Sequence, residues 1–256
     1  MISYDKQFIK TEMEIKKMQE AGRVNALVLA EIKSMIKPGI TTKELDTAAE
    51  TIIRDHGGIP TFKGYPGPYP YPATLTISIN EEMVHGIPSG RVLEEGDIVS
   101  VDCGTTLDGY IGDSAFTHGV GEIGKEKNRL IRVTKESLYK GIEHMQPGKH
   151  IGDVSAAIQD HVESNGYHVP RKYTGHGVGR KMHEPPQVPN FGVPGQGMLL
   201  REGMTIAIEP MVLVGTPKTK VLSDQWTVIS ADRSLTAHYE HSVAVTANSP
   251  LILTKV

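Results

Sequence analysis

The 256-residue chain predicts an α+β fold in one domain, residues 1–256, made of two pseudo-equivalent halves at about 10–120 and 121–250. Two observations carry this. "IKPGITTKELDTAAETIIRDHGG" (36–58) aligns with "MQPGKHIGDVSAAIQDHVESNGY" (145–167), with Pro38 on Pro147, Gly39 on Gly148, Ala48 on Ala157 and Gly57 on Gly166. "LEEGDIVSVD" (93–102) aligns with "LREGMTIAIE" (200–209) at nearly the same offset, so that Asp102 and Glu209 fall in equivalent last places. Two blocks repeated in the same order mark a duplicated unit. Related halves commonly meet about a pseudo-two-fold axis, a natural place for a site.

The elements follow in order. Residues about 11–36 and 123–145 predict a long amphipathic first helix in each half. A Pro-Gly turn then leads into a second helix, with Leu45, Ala48, Ala49 and Ile52 as the apolar face of one copy. Val154, Ala157, Ile158 and Val162 form that face in the other, and both helices stop at a glycine. Alternation of Ile98, Ser100 and Asp102 against Val99 and Val101 predicts a strand, as does the same pattern up to Glu209. Leu107-Asp108-Gly109 is a hairpin signal. Strands joined by hairpins rather than by crossover helices favour α+β. Nothing near residue 120 has the composition of a flexible linker, so the halves are expected to share one core.

Composition excludes several classes. A hydrophobic content of 38% with 22% charged residues describes an ordinary globular chain, and a net charge of −3 leaves no footprint for nucleic acid or an anionic membrane. The single cysteine, Cys103, rules out an internal disulfide framework and suits a reducing compartment. The first residues lack the apolar region and cleavage site of a secretory signal, and no apolar run is long enough to span a bilayer. The expectation is a cytoplasmic protein.

Four carboxylates need a reason. A two-residue loop at Asp108-Gly109 pairs Asp113 with Gly104, two residues from Asp102, whereas a four-residue loop sets Asp102 and Asp113 face to face. Either register puts both acids on one face, where like charges repel unless a cation or shared proton neutralises them. Two ordinary acids on a solvated face remain the plain alternative for this pair. Glu209 closes an alternating strand, and Glu240 in "LTAHYEHSVAVT" lies among apolar residues, where surface acids are uncommon. "TGHGVGRKMHEPP" (174–186) adds His176 and His183 in a glycine-rich segment that suits neither a helix nor the H-E-x-x-H zinc pattern. Its glycines suggest an extended chain passing close to something, with a bulge. Two Asp, two Glu and one His make an oxygen/nitrogen donor set suited to two divalent cations sharing bridging carboxylates.

With these residues in view the chain resembles the type I methionine aminopeptidases, of pita-bread fold, over nearly its whole length. The resemblance rests on "SINEEMVHGIP" (78–88), "DIVSVDCGTTLDGYIGDSAF" (97–116), "TGHGVGRKMHEPPQVPNF" (174–191), "MTIAIEPM" (204–211) and "SLTAHYEHSVAVT" (234–246), in order and spacing. It implies that Asp102, Asp113, His176, Glu209 and Glu240 ligate two divalent ions, with Asp113 bridging; cobalt, manganese, iron and zinc all suit the set. His85 and His183 would contact substrate without being primary ligands. Glu209 would act as general base toward a metal-activated water and then as acid toward the leaving amine. By position, Tyr65, Tyr71, Thr76, Met182, Met211 and Trp226, with His85 and His183, would bind the substrate. Thr76 stands where many relatives carry cysteine, and the loop "GYPGPYPYP" (64–72) is longer than in the shortest of them. The short interval from Glu209 to Glu240 leaves no room for the helical insertion of type II enzymes.

The implied activity is removal of the initiator methionine from nascent chains whose second residue is small, by a monomer. An enzyme acting on nascent chains would meet the ribosome transiently, although no basic patch in the sequence argues for that contact. The rival readings are an Xaa-Pro aminopeptidase or prolidase-like enzyme and a non-catalytic binding protein of the same fold. The second should have lost ligands, and all five are present.

Overall fold

The computed structural model describes residues 6–255. After a short 3-10 turn, Lys6–Phe8, the first half runs α1 (Glu12–Met35), α2 (Thr42–Asp55), β1 (Ile59–Pro60), β2 (Leu75–Ile79), β3 (Glu82–Val84), β4 (Ile98–Leu107) and β5 (Tyr110–Gly119). The second runs α3 (Lys125–Glu143), α4 (Ile151–Ser164), β6 (Thr174–Gly177), β7 (Glu184–Pro189), β8 (Thr205–Ile208) and β9 (Met211–Leu213). It continues through β10 (Thr219–Val221), β11 (Val228–Ser230), β12 (Thr236–His238), β13 (Glu240–Ala244) and β14 (Leu251–Ile252). The predicted first helices match within two residues at each end, and both second helices are present.

Local chemistry accounts for the starts. Thr11 caps α1 and Thr41 caps α2, each in a reciprocal box with the glutamate three residues on, Glu14 and Glu44. The apolar stripe of α1 (Met18, Ala21, Val24, Val28, Ile32) recurs every three or four residues and is wholly buried.

A nine-stranded antiparallel sheet follows the order β1-β4-β5-β13-β8-β6-β7, with β2 also on β4 and β14 also on β13. The halves meet where β5 pairs with β13, so β2-β4-β5 is mirrored about that line by β6-β8-β13. The halves share a core where Met18 and Ile111 pack with Val178, Ala207, Ala244 and Leu253, and two larger clusters accompany it. One apolar cluster lies under α1 and α2 (Val28, Leu45, Ile53, Val99, Val101, Cys103), and another under α3 and α4 (Leu130, Leu138, Val154, Ile158, Ile206, Val243). Tyr239 packs against both. Each helix pair packs mainly on its own half of the sheet, although α3 also reaches β5 and Ile98 of β4 joins the cluster under α3 and α4. No helix among the described residues is long and apolar enough to cross a membrane.

Candidate metal centre and substrate cavity

The centre is built from two neighbouring rows across the sheet. Leu107 pairs with Tyr110, so the β4–β5 loop is the two residues Asp108-Gly109, both at positive φ (48° and 77°) as a type I′ turn requires. That register sets Asp113 opposite Gly104 and Asp102 opposite Ala115. Ala115 also faces Glu240, so Asp102, Ala115 and Glu240 form one row, extended by Thr76 opposite Asp102. In the next row His176 faces Ala207, which faces Ser242. The Ser242 hydroxyl accepts the Asp113 N–H at 3.0 Å and donates to its carbonyl at 2.9 Å. Glu209, two residues beyond Ala207, shares this face. Ala115, Ala207 and Ser242 between the acids are small, which leaves the acid side chains free to converge.

Among the described residues, Asp113, His176 and Glu240 bring ligand atoms within 4.8 Å of one another. His176 Nε2 lies 3.6 Å from Asp113 Oδ2 and 3.5 Å from Glu209 Oε1. Its Nδ1 is 2.9 Å from the Gly177 carbonyl, which holds the ring with Nε2 toward the acids. The bulge expected near the glycines occurs between His176 and Gly177. A Cβ at Gly177 would run into the Pro185 carbonyl, so the close approach there is to the neighbouring strand.

Electrostatics make the cluster untenable as bare charges. Burial, with Asp113 and Glu209 beside it, lifts the Asp102 carboxyl well above the ordinary range. Burial lifts Asp113 to about 7, and burial with Asp113 nearby raises Glu209. Glu240 is raised by burial and by the charges of the other three acids. His176 is pushed down to about 3, chiefly by burial. Asp102 Oδ1, Asp113 Oδ1 and Glu240 Oε1 are buried with no hydrogen-bond partner. Buried carboxylate oxygens left unpaired beside a neutral imidazole are what a divalent cation neutralises, so the donor set fits such ions.

A cavity of about 140 Å³ opens on this cluster, lined on its other side by Phe62, Tyr65, Tyr71, Met182 and Trp226. Thr76, His85 and His183 complete the lining. His85 has φ of +63°, a conformation sparsely populated for residues with a side chain and typical of functional sites. Burial, then the nearby His183, lowers its imidazole to about 4. The His183 ring lies 4.3 Å from that of His176, and its Nδ1 is 2.6 Å from the Tyr65 hydroxyl. Burial lowers the His183 pKa and raises that of Tyr65.

Trp226 is clamped from two sides. Asp224 Oδ1 accepts the N–H groups of Trp226 and Thr227, both at 2.9 Å. Tyr69 and Tyr71, from loop 64–72, stand edge-on to the indole with centroids 6.1 and 5.1 Å away. Gly67 lies against the ring, where a Cβ would overlap the indole. Gly67→Ala is therefore expected to tilt Trp226 and raise KM for a ligand that fills this cavity about threefold to tenfold, with kcat less changed, as loss of uniform binding does. An unchanged KM would show that the loop does not shape the cavity.

Of the residues anticipated from sequence, the structure brings together Asp102, Asp113, His176, Glu209, Glu240, His85, His183, Tyr65, Tyr71, Thr76, Met182 and Trp226. Met211 is not in the lining. It is fully buried with Met83, Val84, Leu213 and Val228, opposite His238 on β12. The family resemblance placed it in the cavity by position, but the strand Met211–Leu213 that it opens carries it behind. Two residues were missed. Phe62 forms part of the apolar wall, and no sequence pattern singled it out. His238 is buried with Nε2 unpartnered, 3.8 Å from Glu209 Oε2, and burial holds it at about 3. Its even spacing from Glu240 was the available signal.

Known proteins agree with this geometry. The profile of metallopeptidase family M24 matches residues 16–247. The methionine aminopeptidase of Clostridium acetobutylicum is 52% identical over 96% of this chain and 98% of its own length. Methionine aminopeptidase 1 of Bacillus subtilis is 49% identical over 96% and 98%. The crystal structure of methionine aminopeptidase from Thermotoga maritima superposes with a TM-score of 0.94 at 47% identity, covering 97% of this chain and 99% of that one. The repeated halves around one antiparallel sheet are the pita-bread fold, and the chain belongs to metallopeptidase family M24, among the methionine aminopeptidases, metal-dependent hydrolases that remove N-terminal methionine.

Proposed function

We propose that this chain releases methionine from polypeptides whose second residue is small, using two divalent ions held by Asp102, Asp113, His176, Glu209 and Glu240. The observation that carries the reading is one cavity with a carboxylate–histidine wall facing an aromatic wall. At about 140 Å³ the space suits a single side chain rather than a drug-sized ligand. Phe62, Tyr65, Tyr71 and Trp226 line it with aromatic rings, good partners for a flexible thioether. A site this enclosed leaves little room for bulk beyond the scissile bond.

Divalent ions, when bound, supply Lewis acidity toward the scissile carbonyl and lower the pKa of water. The chain's own groups do the rest. Glu209, held beside His176 and His238, takes the proton of the attacking water and delivers one to the leaving amine. With the Tyr65 hydroxyl donating to Nδ1, neutral His183 carries its proton on Nε2, ready to donate to the developing oxyanion. His85, also neutral, orients the leaving nitrogen through a hydrogen bond. We read the protein as a cytoplasmic monomer of one domain, 1–256. Contact with the ribosome has only the nature of the substrate to support it.

The test is release of free methionine from Met-Ala-Ser and Met-Leu-Ser, with chelator and after adding back manganese or cobalt. Cleavage of the alanine peptide alone, abolished by chelator and restored by metal, is expected. Cleavage of Ala-Pro with Met-Ala-Ser inert would favour the Xaa-Pro reading. Inertness toward all of them under every metal would leave a binding protein.

A further inference from the structure

Glu184 follows His183 in the chain but is turned the other way. Its side chain is 3% exposed and meets the ammonium of Lys10, whose side chain has no exposure. The second Glu184 oxygen accepts the backbone N–H groups of Arg180 at 2.8 Å and Lys181 at 3.1 Å. Lys10 Nζ also donates to the Phe8 carbonyl at 3.1 Å, and the Lys10 backbone N–H donates to the Gly203 carbonyl at 2.8 Å. A segment ahead of α1, remote in sequence from the site, thus closes on the loop that carries His183. Nearby, Arg180 of the same loop reaches Glu14 in the first turn of α1, whose carboxylate also accepts the Tyr110 hydroxyl at 2.9 Å.

We propose that Lys10 is a positioning residue for the reaction, holding the 178–184 loop through Glu184 so that His183 presents its ring to the cavity. The inference rests on the role proposed above for His183. Residues 178–183 form no helix or strand: backbone hydrogen bonds tie Val178 to Thr205 and Gly179 to Ile111, and the stretch 180–183 that follows is held chiefly by side-chain tethers. The Tyr65 hydroxyl holds one ring atom. Glu184 holds the backbone, gathering two loop amides onto a carboxylate whose charge Lys10 matches. Exposed ion pairs hold little, but this one is shut away from water, so removing the cation leaves an uncompensated buried charge that must move. Because Glu184 adjoins His183, that movement passes to the imidazole. A Cβ at Gly179 would overlap Lys10 Cε, so the loop leaves just the channel that a slender lysine needs.

The experiment compares Lys10→Met, His183→Ala and the double variant on Met-Ala-Ser, with kcat, KM and melting temperature measured for each. Lys10→Met is expected to lower kcat about tenfold to a hundredfold, the scale of an ångström of misplacement, with KM moved less than about threefold. In the His183→Ala background Lys10→Met should do nothing further, because the group it positions is gone. Losses that simply multiply in the double variant overturn the inference, since Lys10 would then support the fold at large. Undiminished kcat in His183→Ala overturns the role of His183, and the positioning role with it. If Lys10→Met does not fold, Gly179→Ala takes its place. Its methyl presses first on the far end of the lysine and then on Glu184 Oε1, 3.0 Å away, so it disturbs the same pair while keeping both charges. It should show the same non-additivity with His183→Ala, and multiplicative losses would again overturn the inference.

Discussion

Glu209→Gln is expected to keep bound divalent metal while losing turnover by about 10²- to 10⁴-fold, the range for removing a general base. The substitution preserves shape and one acceptor oxygen at a position 3.5 Å from His176 Nε2. What it removes is the group able to take and return a proton. Asp102, Asp113, His176 and Glu240 stay in place, so metal content measured by mass spectrometry should change far less than kcat. A rate near that of the parent would sink the proton-transfer role. Loss of all metal alongside the rate would show that Glu209 matters first as a ligand.

Without metal, the protein should lose stability as pH rises above about 6.5, and metal should reverse the trend. In the unfolded chain the acids titrate near 3.8 and 4.5, whereas in the folded chain Asp113 is lifted to about 7 and Asp102, Glu209 and Glu240 are raised as well. Between those values the folded state binds more protons than the unfolded one. Stability from this source is therefore complete below the unfolded values and is lost as pH climbs through the folded ones. The histidines act oppositely. His85 at about 4, with His176 and His238 at about 3, are depressed below 6.5, so their effect raises stability with pH and is complete by about 6.5. Above that point the acids act alone, at about 1.4 kcal/mol per pH unit for each carboxyl still protonated in the folded state. In a chain of this size the melting temperature of chelated protein should fall by about 5 °C or more from pH 6.5 to 8.5. Saturating manganese should flatten the curve, because an ion keeps the carboxylates charged and its binding releases protons. A melting temperature indifferent to chelator at every pH would contradict the clustering of the four acids.

The part of the site that was legible beforehand is the part that local rules govern. Asp102 and Asp113 share a face because period-two alternation and an Asp-Gly turn are properties of a few consecutive residues. Glu209 was found because the repeat aligns it with Asp102, and the structure sets both on the sheet face that bears the cavity. Resemblance supplied His85, His183 and the aromatic wall, residues whose spacing alone says nothing. Met211, carried over by family position, instead packs with Met83, Val84, Leu213 and Val228, because position in the chain does not fix which way the strand after Glu209 turns. Phe62 and His238 were missed for the complementary reason, since each reaches the site by packing against segments far away in the chain.

The sequence by itself determined the duplicated halves and the helix and strand pattern within each, and singled out two aspartates, two glutamates and a histidine that the structure brings to one cavity. These depend on periodicity, capping and turn chemistry, which act over a few residues. Only the tertiary structure decided that β5 meets β13 and so brings the acids of both halves together. It likewise decided that each helix pair gathers its own apolar cluster while a further cluster joins the halves, that loop 64–72 closes on Trp226, and that Lys10 reaches Glu184. Those outcomes depend on the register and packing of segments separated by much of the chain, and no local pattern encodes such pairings.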